Sequence, residues 1–420
     1  MKLRERVTNP LPILIFTIFV DLLGFGILIP VVPQLLANPA SPYYLLSGGI
    51  PVSTGYILLG FLLGVFPLAQ FIAAPILGQL SDAYGRKKIL AIALFGTCLS
   101  YILFGYGILL QSIPLLFIAR AFDGITGGNI SVAQASIADV TLPQDRTKNF
   151  GLIGAAFGCG FIIGPYLGGK LSDPSVVSWF SATTPFWFAS VLSFLNVVSL
   201  FFFLKETHAT PTYSRDIVWA KATGNIIKAL NFRSLRPLFL TSFLFQGGFA
   251  FYATFFSVFL INKFGFTQGN IGDWFAYVGV WIAFSHIVVV RLAARRFREY
   301  QILRVSLFAA GILMMLFFLP DHWWGLLFVA PLYAMANGLS FSNITGLISK
   351  SSDSSIQGEV LGINASVQAL AYSIPPILSG FIAARLTPET PIVVASLVII
   401  LSGMVFITFY RPYARILGMT

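Results

Sequence analysis

The sequence predicts an all-α membrane protein with twelve transmembrane helices, arranged as two six-helix bundles related by a pseudo-twofold axis. Three observations lead to this fold class. The 420-residue chain is 57% hydrophobic and 10% charged, whereas soluble domains contain about 25% charged residues. Its apolar residues form blocks of helix length, and not the alternating segments of a membrane β-barrel. The second half of the chain also repeats patterns of the first half.

The internal repeat is visible at two places with the same offset. The stretch that begins at Leu115 reads Leu-Leu-Phe-Ile-Ala-Arg, and the stretch that begins at Leu326 reads Leu-Leu-Phe-Val-Ala-Pro. The same offset places the Gly-Pro-Tyr-Leu-Gly-Gly segment at 164–169 on the Pro-Pro-Ile-Leu-Ser-Gly segment at 375–380. Duplication inside a very apolar chain is typical of secondary transporters.

Each transmembrane helix needs about 20 apolar residues. The predicted spans are 11–36, 53–79, 89–110, 114–138, 150–170, 183–204, 237–262, 271–293, 302–320, 323–348, 358–384 and 390–410. The longest polar stretch, 205–236, is interpreted as a cytoplasmic linker between an N-terminal bundle (1–204) and a C-terminal bundle (237–420). Within this linker, 217–230 fits an amphipathic helix at the membrane surface.

The basic residues predict the orientation. With the N-terminus in the cytoplasm, 22 of the 26 Lys and Arg residues lie on the cytoplasmic side and three lie outside. Cytoplasmic loops of membrane proteins are enriched in Lys and Arg, so both termini are expected in the cytoplasm of a multi-pass protein of a bacterial inner membrane. The net charge of +11 then needs no nucleic-acid partner, and a monomer is expected.

Three charged residues lie in the interior of predicted spans, more than three residues from either end. Asp21 is in the middle of the first span, and Arg120 and Asp123 lie on one face of the fourth. Unpaired, the three would cost roughly 8–10 kcal/mol on insertion scales. Because burial and a nearby Arg act on a carboxyl group in opposite directions, Asp21 is the predicted protonation site. Two alternatives remain open: a permanently paired Asp21, and a static Arg120–Asp123 pair.

Neutral polar residues inside the spans are the candidate substrate contacts, because an amide in hydrocarbon needs a partner and should face the bundle interior. The candidate residues are Gln34, Gln134, Gln246, Tyr252, Asn337, Asn343, Asn364 and Gln368. Gln70, Asn129, Tyr372 and Trp281 are further polar or aromatic residues of the predicted cavity. Taken singly, each amide fits a role in an interhelical hydrogen bond slightly better than a role in substrate binding. As a group, those of the second half predict a substrate surface.

Four segments resemble the signature motifs of one transporter family. They are Asp21 to Pro30 in the first span, Gly78 to Lys88 in the loop after the second, Arg120 with Gly124 in the fourth, and Gly160 to Gly169 in the fifth. In order and spacing the chain resembles the major facilitator superfamily, and within it the twelve-helix drug:proton antiporters. Gly124-Ile125-Thr126-Gly127 and Ile137-Ala138-Asp139 make it most similar to the tetracycline exporter group.

The resemblance implies roles for the motif residues. It implies proton coupling through Asp21 and Arg120, with Arg120 ordering a proton relay. Asp123 is included in the candidate proton-coupling set, although the family often has an uncharged residue at its position and a static pair with Arg120 fits it better. The resemblance also implies gating residues in the second-to-third loop and in the fifth span. These are Gly78, Asp82, Gly85, Arg86, Gly164, Pro165, Gly168 and Gly169.

The residue types suggest how these motifs are built. Asp82 amid three bases is predicted to be a helix N-cap and part of an inter-helix salt bridge, which in the family latches the outward-facing state. Gly85 is expected to permit a positive φ or a close approach. The small residues of the fifth span should let it pack on the eighth across the two bundles.

The sequence also departs from the exporter group. Trp281 stands at the position of that group's helix-eight histidine, with His286 five residues further on, and 304–320 contains no acid. The second copy of the loop signature has Ala294 and Phe297 in place of Asp and Gly. These differences leave the substrate open.

The predicted function is secondary active transport: proton-coupled antiport that exports an amphiphilic small molecule or drug by alternating access. Proton-coupled uptake of a metabolite or siderophore is the alternative. A membrane-embedded enzyme or sensor is disfavoured, because the three histidines are scattered and the two cysteines lie in apolar runs. The expected partners are the substrate, protons and membrane lipid. No cofactor or metal is expected beyond the proton gradient.

Overall fold

The computed structural model describes residues 10–46, 48–141, 145–208, 217–351 and 357–410. The N-terminal half contains seven helices in these ranges. They are α1 (Leu11–Leu36), α2 (Val52–Tyr84), α3 (Arg86–Leu109), α4 (Ile113–Thr126), α5 (Asn129–Asp139), α6 (Arg146–Leu171) and α7 (Thr184–Phe203). Arg215 of the predicted linker and the basic residues of both chain ends lie outside the described residues.

The linker contains α8 (Lys221–Asn231), and the C-terminal half follows the order of the first. Its helices are α9 (Arg236–Phe264), α10 (Gln268–Phe284), α11 (Val290–Ala294), α12 (Glu299–Met315), α13 (Leu326–Lys350), α14 (Gln357–Arg385) and α15 (Thr390–Phe409). A π-helical turn at Ser285–Val289 joins α10 and α11 into one span. The predicted all-helical fold is therefore confirmed.

Eleven helices of the described chain are long and apolar enough to cross a membrane, and the predicted fourth span is the broken pair α4 and α5. The break falls at Gly127 and Gly128, which lie against α2. A Cβ on Gly128 would come 2.9 Å from the Cα of Ala74. The predicted span 114–138 is therefore present as two helices, separated at two glycines that keep right-handed helical φ and ψ angles and lie against α2.

Each bundle is built around its own apolar core. In the first, α1 packs on α6, α3 on α7, and α2 on α4. In the second, α9 packs on α15 and α12 on α13. The two bundles meet through α2 with α14 and α6 with α10, so the predicted contact between the fifth and eighth spans is present.

The bundles are sealed together at the end that carries the α1–α2 and α6–α7 loops. Two glycine pairs allow backbone contact there: Gly60 with Gly380, and Gly169 with Gly272. Gln34 also donates a hydrogen bond of 3.2 Å to the carbonyl of Phe266 across the bundles. We call this end the sealed end.

At the opposite end, which carries α8, equivalent glycines face open space. Among the described residues, a Cβ on Gly154, Gly158, Gly346 or Gly362 would meet no atom within 4 Å beyond the adjacent backbone of its own helix. These glycines lie on α6, α13 and α14, helices of both bundles. We call this end the open end.

The amphipathic linker helix is present as α8, four residues later than predicted. It packs on α14 and α2. Asn225 donates to Ser366 of α14 at 3.0 Å, and Lys228 pairs with Glu359 at 2.5 Å. On the side of the first bundle, Gln79 accepts a hydrogen bond from the Val218 amide at 3.0 Å. The linker therefore contacts both bundles at the open end.

Candidate functional site

The centre of the first bundle contains a buried acid without a compensating partner. Asp21 lies in the middle of α1, and both of its carboxylate oxygens are buried beside the Asn129 side-chain amide, without a well-formed hydrogen bond to any residue that the structure describes. No positive charge forms an ion pair with it within the described chain. A permanent ion pair of Asp21, one of the alternatives left by the sequence, is therefore not found among the described residues, and Asp21 as the protonation site stays a prediction.

Arg120 is neutralised by its neighbour on the same helix. Its guanidinium lies 2.6 Å from the Asp123 carboxylate, with side chains 2% and 6% exposed. Ser100 of α3 donates to the other Asp123 oxygen at 3.1 Å. The guanidinium also stacks 4.3 Å from the centre of the Phe66 ring. The geometry is that of a local buried pair, and the proton relay through Arg120 stays a prediction.

Two residues of this cluster come from α3 and were not found from the sequence. Ser100 holds Asp123, as described above, and Tyr101 lies among Asp21, Arg120 and Asp123. The Tyr101 hydroxyl packs on Gly24, where a Cβ would lie only 1.8 Å from the oxygen. In the sequence, Ser100 and Tyr101 are visible only as two adjacent hydroxyl-bearing residues in an apolar run. This pattern does not reveal which helix their side chains contact.

Three of the predicted substrate amides are used inside the second bundle. Asn364 accepts a hydrogen bond from Ser242 at 3.1 Å, joining α14 to α9. Asn337 donates to the Tyr333 hydroxyl at 3.3 Å. Asn343 donates to the carbonyl of Leu339, one turn earlier on its own helix, at 2.7 Å. The Asn364 bond is the interhelical bond that the sequence left open for each amide singly, whereas the Asn337 and Asn343 bonds lie within α13.

Two further candidates lie away from the open end. Gln34 belongs to the sealed end. Tyr252 is 2% exposed in the core of the second bundle, with its ring centre 4.5 Å from that of Phe256 and 5.2 Å from that of Tyr333. Both side chains therefore serve packing in this conformation.

The remaining candidates are less enclosed or bridge two helices. Gln246 of α9 accepts a hydrogen bond from the Tyr372 hydroxyl of α14 at 3.2 Å. Gln134 of α5, Gln368 and Tyr372 are half-buried. If Pro12 is aligned with Pro237, an offset of 225 residues for the first span of each half, Gln246 corresponds to Asp21, so a neutral amide in the second bundle matches the acid of the first.

The loop between α2 and α3 forms a charged network around Arg86, which is 7% exposed. Arg86 pairs with Asp82 at 2.6 Å and with Asp139 of α5 at 3.0 Å. Gly85 has φ of 99°, so the expected positive φ is confirmed. The predicted inter-helix bridge is present, since Asp82 ends α2 while Arg86 begins α3.

Asp82 is not the N-cap that the sequence predicted. It lies within α2, and α3 begins only after Gly85. Glu206, which follows α7, takes this role: its carboxylate accepts hydrogen bonds from the backbone amides of Arg86 at 2.9 Å and Lys87 at 3.2 Å. A carboxylate at a helix N-terminus satisfies free amides and complements the helix dipole.

Replacing Glu206 with alanine should therefore destabilise the first bundle by about 1–2 kcal/mol, the usual range for losing a capping side chain. Thermal unfolding in detergent would show a lower midpoint. Asp321→Ala, at an exposed acid near the sealed end, is the matched control and should leave the midpoint unchanged. An equal loss in both variants would contradict the capping role.

The glycines of α6 divide between two neighbours. Gly160, Gly164 and Gly168 lie against α1, where a Cβ on Gly164 would come 2.7 Å from the carbonyl of Leu23. Only Gly169 meets α10, at Gly272. Pro165 lies inside α6. Most of this motif therefore packs within the first bundle, and its last glycine makes the contact between bundles.

An exposed ion pair adds little to the sealed end. Lys170 and Asp273 lie 2.8 Å apart across the bundles, with side chains 30% and 49% exposed. Exposed pairs contribute about 0.2–1 kcal/mol. Backbone contact at the two glycine pairs is therefore the main feature of the seal.

Two similar helical bundles, joined by backbone contacts near one end and containing a buried carboxyl group, define a membrane transport protein of the secondary-transporter class. The chain belongs to the Major Facilitator Superfamily, which it matches over residues 14–376.

Named relatives and a solved structure agree with this assignment. The chain is 32% identical over 371 residues to tetracycline resistance protein, class H, of Pasteurella multocida, covering 88% of each protein. It is 28% identical over 381 residues to multidrug resistance protein 2 of Bacillus subtilis (strain 168), again covering 88% of each. A bacterial homolog of the human lysosomal transporter Spinster, in its inward-facing and unoccupied conformation, shares the fold with a TM-score of 0.79 at 13% identity, with 99% of each chain covered.

Proposed function

We propose that this protein is a proton-coupled antiporter that exports an amphiphilic small molecule or drug across a bacterial inner membrane. The observation that carries the proposal is the state of the two buried charges on α1 and α4. Arg120 is compensated by Asp123, whereas Asp21 has no counter-ion within the described chain. An isolated buried carboxyl group is neutral when protonated, and its ionisation in the protein interior costs free energy. Its protonation state can therefore change when the site becomes exposed to the other side of the membrane.

The distribution of basic residues supports a cytoplasmic position for the open end, which carries α8 and the Arg86 network. In this orientation, the conformation described here is inward-facing. Alternating access then consists of opening the glycine contacts at the sealed end while the bundles close at the other. The proton would enter from outside and leave Asp21 toward the cytoplasm.

The available energy is sufficient for drug export. One proton that moves down 100 mV releases about 2.3 kcal/mol, and one pH unit adds roughly 1.4 kcal/mol. Together they could support on the order of a 500-fold gradient of a neutral solute. No cofactor is needed for this coupling.

The proposed substrate surface consists of polar residues that are half-buried or that contact a half-buried residue. Gln246 with Tyr372 is the best candidate in the second bundle, because the pair spans α9 and α14 and ends in a half-buried aromatic ring. Gln134 and Gln368 complete the proposed set. The printed names of the relatives support tetracyclines and other drugs as the first compounds to test.

Proton movement driven by the substrate tests the proposal. Purified protein would be reconstituted in liposomes that contain a pH-sensitive dye, and tetracycline or a cationic dye would be added outside without any proton gradient. For an antiporter, inward substrate movement drives protons out, and the lumen becomes more alkaline. Protein-free liposomes are the control. Acidification of the lumen would instead support the symport alternative, and no pH change with any transported compound would overturn proton coupling.

A further inference from the structure

We propose that Asn129 is the positioning residue of the proton site, and that its side-chain amide binds Asp21 in both the neutral and the ionised state. This inference rests on the proposed function, since it concerns the pH at which Asp21 exchanges its proton. Asn129 was predicted only as one of several polar residues of the cavity.

The burial of the two side chains is the first argument. Asn129 is 0% exposed, and both its amide oxygen and its amide nitrogen are buried without a hydrogen bond to the described residues. The Asp21 carboxylate, in the same condition, lies beside it. A buried unsatisfied polar group costs about 1–3 kcal/mol. An amide and an acid that lack other partners and face each other are best explained as partners.

The helix break explains why Asn129 stays in this position. It is the first residue of α5, directly after Gly127 and Gly128. The groups around the break are satisfied from α2. Gln70 donates to the Gly127 carbonyl at 2.7 Å, and Ser131 donates to the Ala74 carbonyl at 3.0 Å. The junction is thus fixed to α2 by other residues, and the Asn129 amide is not needed to cap it.

The amide can serve both protonation states. When Asp21 is neutral, its O–H can donate to Oδ1 of Asn129. When Asp21 is ionised, Nδ2–H of Asn129 can donate to the carboxylate after rotation of the amide. Hydrogen bonds to an ionised group are the stronger ones, so Asn129 should favour proton release.

Other ionisable groups near Asp21 are few. Asp123 on α4 and Tyr101 on α3 interact with it. The charged residues of α2, α6, α9 and α10, which also contact α1, lie near the ends of those helices, and α7 has none. Since Arg120 is paired with Asp123, Asn129 is the neutral group best placed to change the pH at which Asp21 exchanges its proton.

Asn129→Leu removes the amide while keeping a side chain of similar size. The pH midpoint of substrate-driven proton movement should shift to higher pH by about one unit, the loss expected for one hydrogen bond to an ionised group. Asn129→Ser, which retains a donor and an acceptor, should return the midpoint toward that of the unaltered protein.

Asn196→Leu is the matched control, because Asn196 is equally buried but accepts a hydrogen bond from Thr17 at 3.1 Å. This variant should lower the thermal unfolding midpoint and leave the pH midpoint of exchange unchanged. An unchanged midpoint in a folded, transporting Asn129→Leu protein would overturn the inference.

An infrared titration tests the inference without transport. The carboxylic acid C=O band assigned to Asp21, identified by its absence in Asp21→Asn, should titrate at a higher pH in Asn129→Leu and move to the frequency of an acid with weaker hydrogen bonding. If the band titrates alike in both proteins, Asn129 is not the partner. If the band shifts as expected but no compound drives protons, the proposed function fails and the pairing stands.

Discussion

Asp21→Asn is expected to reduce substrate-driven proton movement to the level of protein-free liposomes while the protein remains folded and binds substrate. Asparagine keeps the size of the side chain but carries no titratable proton. Because Asp21 has no counter-ion within the described residues, its removal leaves no opposite charge unpaired, and stability should be retained. Thermal unfolding and a binding-induced shift of its midpoint, measured beside proton flux, separate coupling from folding.

Asp321→Asn is the matched control for this variant. It makes the same chemical change at an exposed acid near the sealed end, and coupling should remain at the level of the unaltered protein. Coupled exchange by Asp21→Asn at the full rate would disprove Asp21 as the proton site. Loss of coupling in both variants would point to an unspecific effect.

Gly60→Val is expected to open the sealed end and to stop exchange. A Cβ at Gly60 would lie 2.4 Å from the backbone oxygen of Pro376 and 3.0 Å from the Cα of Gly380. Both contacts are with backbone, so α2 and α14 must separate. Ser257→Cys provides a reporter, because Ser257 is 1% exposed and contacts the carbonyl of Ile29 across the bundles. A membrane-impermeant maleimide should label this cysteine at least tenfold faster in Gly60→Val.

Gly362→Val is the control on the opposite end of α14, where a Cβ meets no other atom within 4 Å. It should leave the labelling of the reporter slow. Both proteins need Cys98 and Cys159 replaced by serine, so that only the reporter reacts. Equal labelling in Gly60→Val and Gly362→Val would show that the glycine contact does not hold the sealed end.

The spans could be predicted because the cost of inserting a helix depends on the residues of that helix alone. The apolar runs place α1 at its observed bounds and the other spans within a few residues. The break between α4 and α5 could not be predicted in this way. A Gly-Gly pair is tolerated in a continuous membrane helix, and whether the chain bends there depends on α2, whose residues Gln70 and Ala74 lie against it.

The site was predicted in part. Asp21 and the Arg120–Asp123 pair were identified because charges in an apolar run are rare and costly. Ser100 and Asn129 acquire their roles from contacts between helices, which no spacing along the chain reveals. For the same reason, the sequence could not separate Asn364, which bonds Ser242, from Gln246, which meets a half-buried tyrosine.

Glu206 illustrates which part of the gating network could not be predicted from the sequence. The signature around Asp82 and Arg86 was evident from local spacing, but the carboxylate that caps α3 comes from more than a hundred residues further along the chain. A helix start exposes free amides whatever its sequence, and the partner is whichever acid the fold brings to them.

The sequence by itself determined the number of spans, the duplicated architecture and the presence of one acid and one ion-pair candidate inside the membrane, because each is a property of single residues or of their spacing on one helix. Only the tertiary structure decided which charge remains uncompensated, which end of the bundles is sealed and which amides are already occupied. These depend on how helices distant in the chain face one another, and that is set by close backbone contact at glycines and by the pairing of buried polar groups.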